Sequence, residues 1–218
     1  MDARGRTNAA SAPPAGPPSP LPGQEHIKRY WDPTRNCYAA KILPGEFYVT
    51  TAPELITTVL GSCVSVCIRD SKTGVGGMNH FMLPHSGDSS NWGGASLAAR
   101  YGSYAMEAMI NTIIKAGGER SRFEVKAFGG GNVVAAATSV GDNNVDFLYR
   151  FLEIENLKLA ASDLGGLFPR KVVFFPRTGK AHVKKLHDQR NETIRQREEQ
   201  YSYRLENKPI SGDVELFD

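Results

Sequence analysis

The amino-acid sequence predicts an α/β fold. Three observations carry that class: period-two apolar alternation in VSVCI and FEVKAF, apolar recurrence at helical spacing from Leu97 to Ile113, and the return of both patterns further along the chain. Residues 1–23 precede all of this. They are rich in Ala, Pro, Ser and Gly with almost no large apolar side chain, so they do not offset the entropy of ordering and are expected to form a disordered tail. A catalytic domain is expected over 24–187 and a charged C-terminal extension over 188–218.

Between His26 and Thr50, the residues Tyr30, Trp31, Tyr38, Ile42, Phe47, Tyr48 and Val49 supply aromatic and β-branched content interrupted by Pro44-Gly45, which predicts short strands. Thr57 lies on a strand entering the Gly61-Ser62 turn, and Val64 to Ile68 leaves that turn as a half-buried strand. The stretch Arg69 to Gly77 allows a hairpin that returns Met78, Asn79 and His80 beside Cys63. His85 to Gly94 is a polar, Gly-rich loop. Leu97, Tyr101, Tyr104, Ala105, Ala108, Met109, Thr112 and Ile113 then mark a helix stopped by Gly117-Gly118. Phe123 to Phe128 alternates as a strand into Gly129-Gly130-Gly131-Asn132, and Val145 to Leu157 carries the second helical pattern. Lys158 to Ala161 and Lys171 to Phe175 read as strands separated by Asp163-Leu164-Gly165-Gly166. Arg177-Thr178-Gly179 turns the chain into a last strand at His182-Val183. From Asp188 to Glu206 nearly every residue is charged or amide-bearing, which predicts a solvated helix or loose extension rather than core.

Composition excludes several function classes. A chain of 218 residues with 40% hydrophobic and 22% charged content builds an ordinary globular core. No apolar run approaches the ~20 residues of a bilayer span, and the first residues lack the apolar core of a secretory signal, so no membrane insertion and a cytoplasmic location are expected. Three cysteines, Cys37, Cys63 and Cys67, are too few and odd in number for a disulfide framework. A net charge of +3 with no Lys/Arg cluster argues against a nucleic-acid partner.

Chemistry concentrates at Cys63 and His80. A cysteine attacks as its thiolate, and an adjacent imidazole takes the thiol proton and later returns it to a leaving amine. The Cys63 N–H with a neighbouring loop donor would stabilise the oxyanion, and the Thr57 hydroxyl would accept from the imidazole N–H and orient the ring. Ser62 and the Gly129-Gly130 and Gly165-Gly166 turns are candidates for the oxyanion site or the pocket rim. Packing is the alternative for any buried cysteine, and Cys37 and Cys67 are read as inert.

Cys63, Cys67, His80 and His85 also match two-Cys, two-His zinc spacing. Pro84 falls inside the histidine spacing and blocks the helix a finger needs. An extended Cys63–Cys67 stretch would also separate the two Cα atoms by about 13 Å. Metal is therefore not expected. Gly129-Gly130-Gly131 lacks the Gly-Lys-Ser/Thr ending of a phosphate loop and reads as a tight turn.

In order along Glu46 to Lys185, LGSCVSVCIRD, GGMNHFMLP, YGSYAMEAMI, KAFGGGN and DLGGLFPRKV closely resemble the CheD family of chemoreceptor glutamine deamidases. The resemblance implies that Cys63 is the nucleophile, with His80 and Thr57 as its partners. It implies an α/β layered sandwich of mixed or antiparallel sheet with flanking helices, similar to toxin-type cysteine deamidases. The implied reaction is hydrolysis of glutamine side chains to glutamate, with release of ammonia, in cytoplasmic helices of methyl-accepting chemotaxis receptors, without a cofactor. A CheC-type phosphatase partner and hydrolysis of receptor methyl esters occur in some members. Two other function classes fit the same residues: a Cys/His peptidase or transamidase, and a non-catalytic adaptor that binds receptors or a phosphatase.

Overall fold

A computed structural model describes residues 16–83, 97–133, 138–187 and 192–207. Ten strands form two five-stranded mixed sheets among the described residues. The first sheet runs β1 (Lys28–Asp32), β2 (Cys37–Lys41), β4 (Leu55–Leu60), β9 (Arg170–Phe175) and β10 (Lys180–Lys185) from edge to edge. The second runs β3 (Phe47–Thr50), β6 (Gly76–Asn79), β5 (Val64–Asp70), β7 (Phe123–Gly129) and β8 (Leu159–Leu164). All neighbours are antiparallel except β2 with β4 and β7 with β8.

The layers follow from which faces are apolar. On α1 (Leu97–Lys115), Met106, Met109, Ile110 and Ile113 fall on one stripe and are buried against Val66, Ile68 and Val125 of the second sheet. On α2 (Thr138–Ile154), Phe147, Leu148, Phe151 and Leu152 cover the same face, with the Phe147 ring edge-on to Phe81. Each such side chain contributes roughly 1.5–3 kcal/mol of burial. The opposite face of the second sheet packs on the first through Tyr48, Cys67, Met78, Phe128, Ile56, Val172 and Phe174. The result is a helix layer over two sheets, the α/β sandwich expected from the sequence.

This arrangement sets Cys63 at a crossing. β4 ends at Leu60 in one sheet and β5 begins at Val64 in the other, so the intervening residues Gly61 to Cys63 carry the chain between layers. The expected hairpin forms as the β5–β6 pair, extended by a Val64–Phe81 bridge that sets His80 beside the turn.

Two elements differ from expectation. α2 begins at Thr138 rather than Val145, because its polar first turns are stabilised by tertiary contacts instead of an apolar stripe. Asn144 is fully buried there, accepting from Leu83 N at 2.8 Å and donating to Ser62 O at 2.9 Å. The charged extension is not merely solvated. It forms α3 (Glu192–Asn207), whose Ile194 and Glu198 are buried against the body. Residues 1–15 of the expected tail and the loop His85 to Gly94 lie outside the described residues.

Candidate active site

The Gly61–Cys63 turn is held from both sides. Its three carbonyls each accept a bond: Gly61 O from Gly131 N at 2.7 Å, Ser62 O from Asn144 Nδ2 at 2.9 Å and Cys63 O from Gly130 N at 2.8 Å. Its three N–H groups point the other way and converge on one carboxylate, that of Glu198. Gly61 N and Cys63 N donate to Oε1 at 2.9 and 3.2 Å, and Ser62 N donates to Oε2 at 2.9 Å. Ser62 Oγ adds a bond of 2.7 Å to Oε2. Successive backbone amides aimed at one point form an anion-binding nest.

Glycine is required where the turn is buttressed. Gly129 and Gly130 have φ of 112° and 64°, in the left-handed region, and a Cβ on Gly129 would run into the Cys63 carbonyl oxygen. Gly141 of α2 passes so close that a Cβ would lie 2.6 Å from Gly130 O. The buried Arg170 guanidinium donates to Gly129 O and Gly165 O, tying the two glycine turns together. Gly129 and Gly130 therefore stand behind the Gly61–Cys63 turn, on its carbonyl side, and not at a pocket rim. Gly165 N bonds Gly129 O at 2.9 Å and Gly166 O accepts from Asn132 N at 2.8 Å, so this pair braces the same region from further out.

His80 follows β6, its backbone anchored by His80 N to Glu46 O at 2.9 Å and Gly45 N to His80 O at 2.7 Å. Its Nδ1 lies 2.7 Å from Thr58 Oγ1, and Thr58 Oγ1 donates to Ile42 O at 2.9 Å. A hydroxyl has one proton, and Ile42 O takes it, so Nδ1 must be the donor to Thr58 and Nε2 carries the lone pair. Nε2 is buried and makes no hydrogen bond among the described residues. Cys63 Sγ, a His80 ring nitrogen and a Glu198 carboxylate oxygen lie within 4.8 Å of one another.

Thr57 does not orient the imidazole. Its Oγ1 donates to Val172 O at 2.8 Å, and it shares a strand face with Leu55, away from the second sheet. Side chains alternate along a strand, so the neighbour Thr58 faces His80 while Thr57 turns to the opposite side. The expected hydroxyl-to-imidazole contact exists, one residue further on.

Electrostatics in this closed arrangement hold the pair neutral. Burial, then the Glu198 charge, pushes the Cys63 thiol well above its ordinary value. Burial pulls His80 down to about 4, against an opposing pull from Glu198. Tyr101 of α1 is raised to about 12 by burial and by the nearby Cys63, and its hydroxyl meets that of Tyr201 on α3. Cys67, deeper between the sheets, is also raised by burial and takes no part.

Among the described residues, Cys63, His80 and Glu198 form the one group of three side chains with metal-ligand atoms this close. Both Glu198 oxygens already accept from the turn, which makes the carboxylate an acceptor for amides. Cys67 is not in the group, and His85 lies outside the described residues.

Sequence reasoning placed the orienting hydroxyl at Thr57, one residue short of Thr58 in strand register, and gave no site role to Tyr101, Asn144 or Glu198. For α3 a signal was present: Ile194, Glu198, Tyr201 and Leu205 recur at i, i+4, i+7 and i+11 through a charged background.

A thiol, an imidazole and three converging amides meet where the chain crosses between the two sheets of an α/β protein, and these are the groups that acyl transfer through sulfur uses. Comparison with known proteins narrows this class. A family model described as CheD chemotactic sensory transduction matches residues 82–185. The chain is similar to probable chemoreceptor glutamine deamidases CheD from Halorhodospira halophila (54% identical, covering 92% of this chain and 94% of that one) and Hahella chejuensis (47% identical, covering 96% and 100%). A third, from Janthinobacterium sp., is 54% identical over 86% of this chain and 93% of its own. The chain belongs to the CheD family.

Proposed function

We propose that the chain is a cysteine-dependent deamidase that hydrolyses glutamine side chains of methyl-accepting chemotaxis receptors to glutamate. The observation that carries this reading is the His80 ring, one nitrogen of which lies within 4.8 Å of Cys63 Sγ and whose buried Nε2 has no hydrogen-bond partner among the described residues. His80 Nε2 takes the Cys63 proton, and the thiolate attacks the carboxamide carbon. Once Glu198 has left them, the Gly61, Ser62 and Cys63 amides receive the oxygen that becomes negative, and they stay aimed at it because the turn's carbonyls are already fixed. The imidazolium returns the proton to nitrogen, the C–N bond breaks and ammonia leaves, giving a thioester. Water, deprotonated by His80, then cleaves the C–S bond and frees glutamate and the thiol. Thr58 keeps Nδ1 protonated throughout and so keeps Nε2 the base.

The catalytic unit in this reading spans 24–187, and it acts in the cytoplasm, where the receptor helices that carry its substrate lie. Among the described residues no helix is long and apolar enough to cross a membrane. A CheC-type phosphatase is a proposed partner on family grounds.

Ammonia release from receptor cytoplasmic fragments, measured for the wild type and Cys63→Ala, tests the assignment. The wild type is expected to release ammonia and the variant to be silent; equal release by both would refute it.

A further inference from the structure

Glu198 is a glutamate presented by a helix to a thiol and an imidazole, and the proposed reaction makes a glutamate on a helix in front of the same two groups. Its carboxylate is accommodated as a product carboxylate would be: both oxygens are bound by the Gly61–Cys63 amides, and Cys63 Sγ and a His80 nitrogen lie within 4.8 Å. With a side chain only 7% exposed, and four donors on it, Glu198 is not a surface charge that happens to rest nearby.

The rest of α3 fits the same surface. Ile194, four residues before Glu198, is buried, and with Arg197 it closes over Ile42, Thr58 and Val59, leaving a gap of only about 30 Å³. Tyr201, three residues after Glu198, bonds Tyr101 on the far side. An open cleft of about 440 Å³ continues past Tyr201 along Lys28, Lys41 and Glu46. The body thus already holds one amphipathic helix by residues at i, i+4 and i+7, with the middle one inserted.

We infer that α3 is a built-in product mimic seated in the groove that receives the substrate helix, so that a receptor helix must displace it and presents its glutamine where Glu198 now lies. The inference rests on the deamidase reading and extends it to the substrate class, a side chain delivered by an intact amphipathic helix, and to its regulation by competition. Burial and, second to it, the carboxylate beside the thiol also favour protonated sulfur while α3 is seated. By population arithmetic, a seat occupied most of the time lowers apparent affinity for any competitor by the fraction left open.

The full chain is compared with Glu198→Ala and the near-isosteric Glu198→Gln, using iodoacetamide labelling of Cys63 and KM for a receptor cytoplasmic fragment. Glu198→Ala is expected to label about tenfold faster and to show about a tenfold lower KM. Glu198→Gln serves a different readout: the introduced amide sits at the reacting centre, so its intact mass should drift to that of the wild type as Cys63 attacks and ammonia leaves. The same substitution combined with Cys63→Ala should keep its mass. If the wild type deamidates receptor through Cys63 but labelling and KM are unchanged in Glu198→Ala, or the amide introduced in Glu198→Gln survives, the inference fails and the deamidase reading stands. Loss of receptor deamidation in Glu198→Ala would also overturn it, by making Glu198 a group the reaction needs. Ammonia release that persists in Cys63→Ala would instead overturn the deamidase reading itself.

Discussion

A single hydroxyl proton decides which nitrogen of His80 acts. Because Thr58 gives its proton to Ile42 O, it offers Nδ1 only a lone pair, which leaves Nε2 as the base of the proposed reaction. Thr58→Val keeps the shape and removes the acceptor, which frees the ring to adopt the other tautomer. The loss of one buried hydrogen bond, ~1–1.5 kcal/mol, corresponds to about a tenfold drop in kcat. Thr57→Val removes a bond to Val172 O on the far face of the strand. It should cost about 1 kcal/mol of stability and leave the rate near that of the wild type. Steady-state ammonia release and thermal melts of the two variants separate the positions. A reversed result would return the orienting role to Thr57.

At the scale of elements, the site depends on three chain segments stacking behind one turn: the Gly129–Gly131 stretch, the start of α2 and the side chain of Arg170. Gly129→Ala combines a left-handed backbone with a Cβ driven into Cys63 O. Such strain costs on the order of 1–3 kcal/mol, and it falls on the nucleophile's own carbonyl. The variant should melt several degrees lower and lose activity out of proportion to that drop. Much of this architecture was legible in the sequence, since alternation announced β5 and β7, helical spacing announced α1, and VSVCI followed by a Gly-rich turn announced the hairpin that brings His80 to Cys63. The remainder was hidden for physical reasons. A strand's two adjacent threonines carry the same propensity, so only the packed sheet tells their faces apart. The first turns of α2 are polar because Asn144 works as a hydrogen-bonding strut, which periodicity does not detect. Glu198 sits in a run so charged that its four-residue stripe reads as solvated surface, and burial of a carboxylate becomes intelligible only once three orphan amides face it.

For the whole molecule, acid stability is set where β5 ends. Asp70 is buried, and the Arg122 guanidinium, with the backbone N–H groups of Thr73, Glu119 and Lys72, holds its carboxyl well below the usual carboxylate range. A depressed folded pKa means that the unfolded chain binds the proton more readily. The stabilisation is therefore complete above about pH 4, the unfolded value, and is lost as pH falls through the lower folded value. Asp70→Asn should lower the melting temperature at neutral pH and flatten its decline below about pH 4. Melting curves across that range check the sign. A further consequence follows from where the reacting groups are rooted. Thr58 belongs to one sheet and His80 directly follows a strand of the other, with Cys63 on the strap between them, so their bond is a gauge of the spacing between the two layers. Altering the filling of that interlayer, at Met78 or Phe174 for example, is expected to change the separation of Cys63 and His80 without touching either. Under the proposed mechanism, turnover should then follow the thickness of the protein's middle, and residues that never meet substrate inherit a say in it.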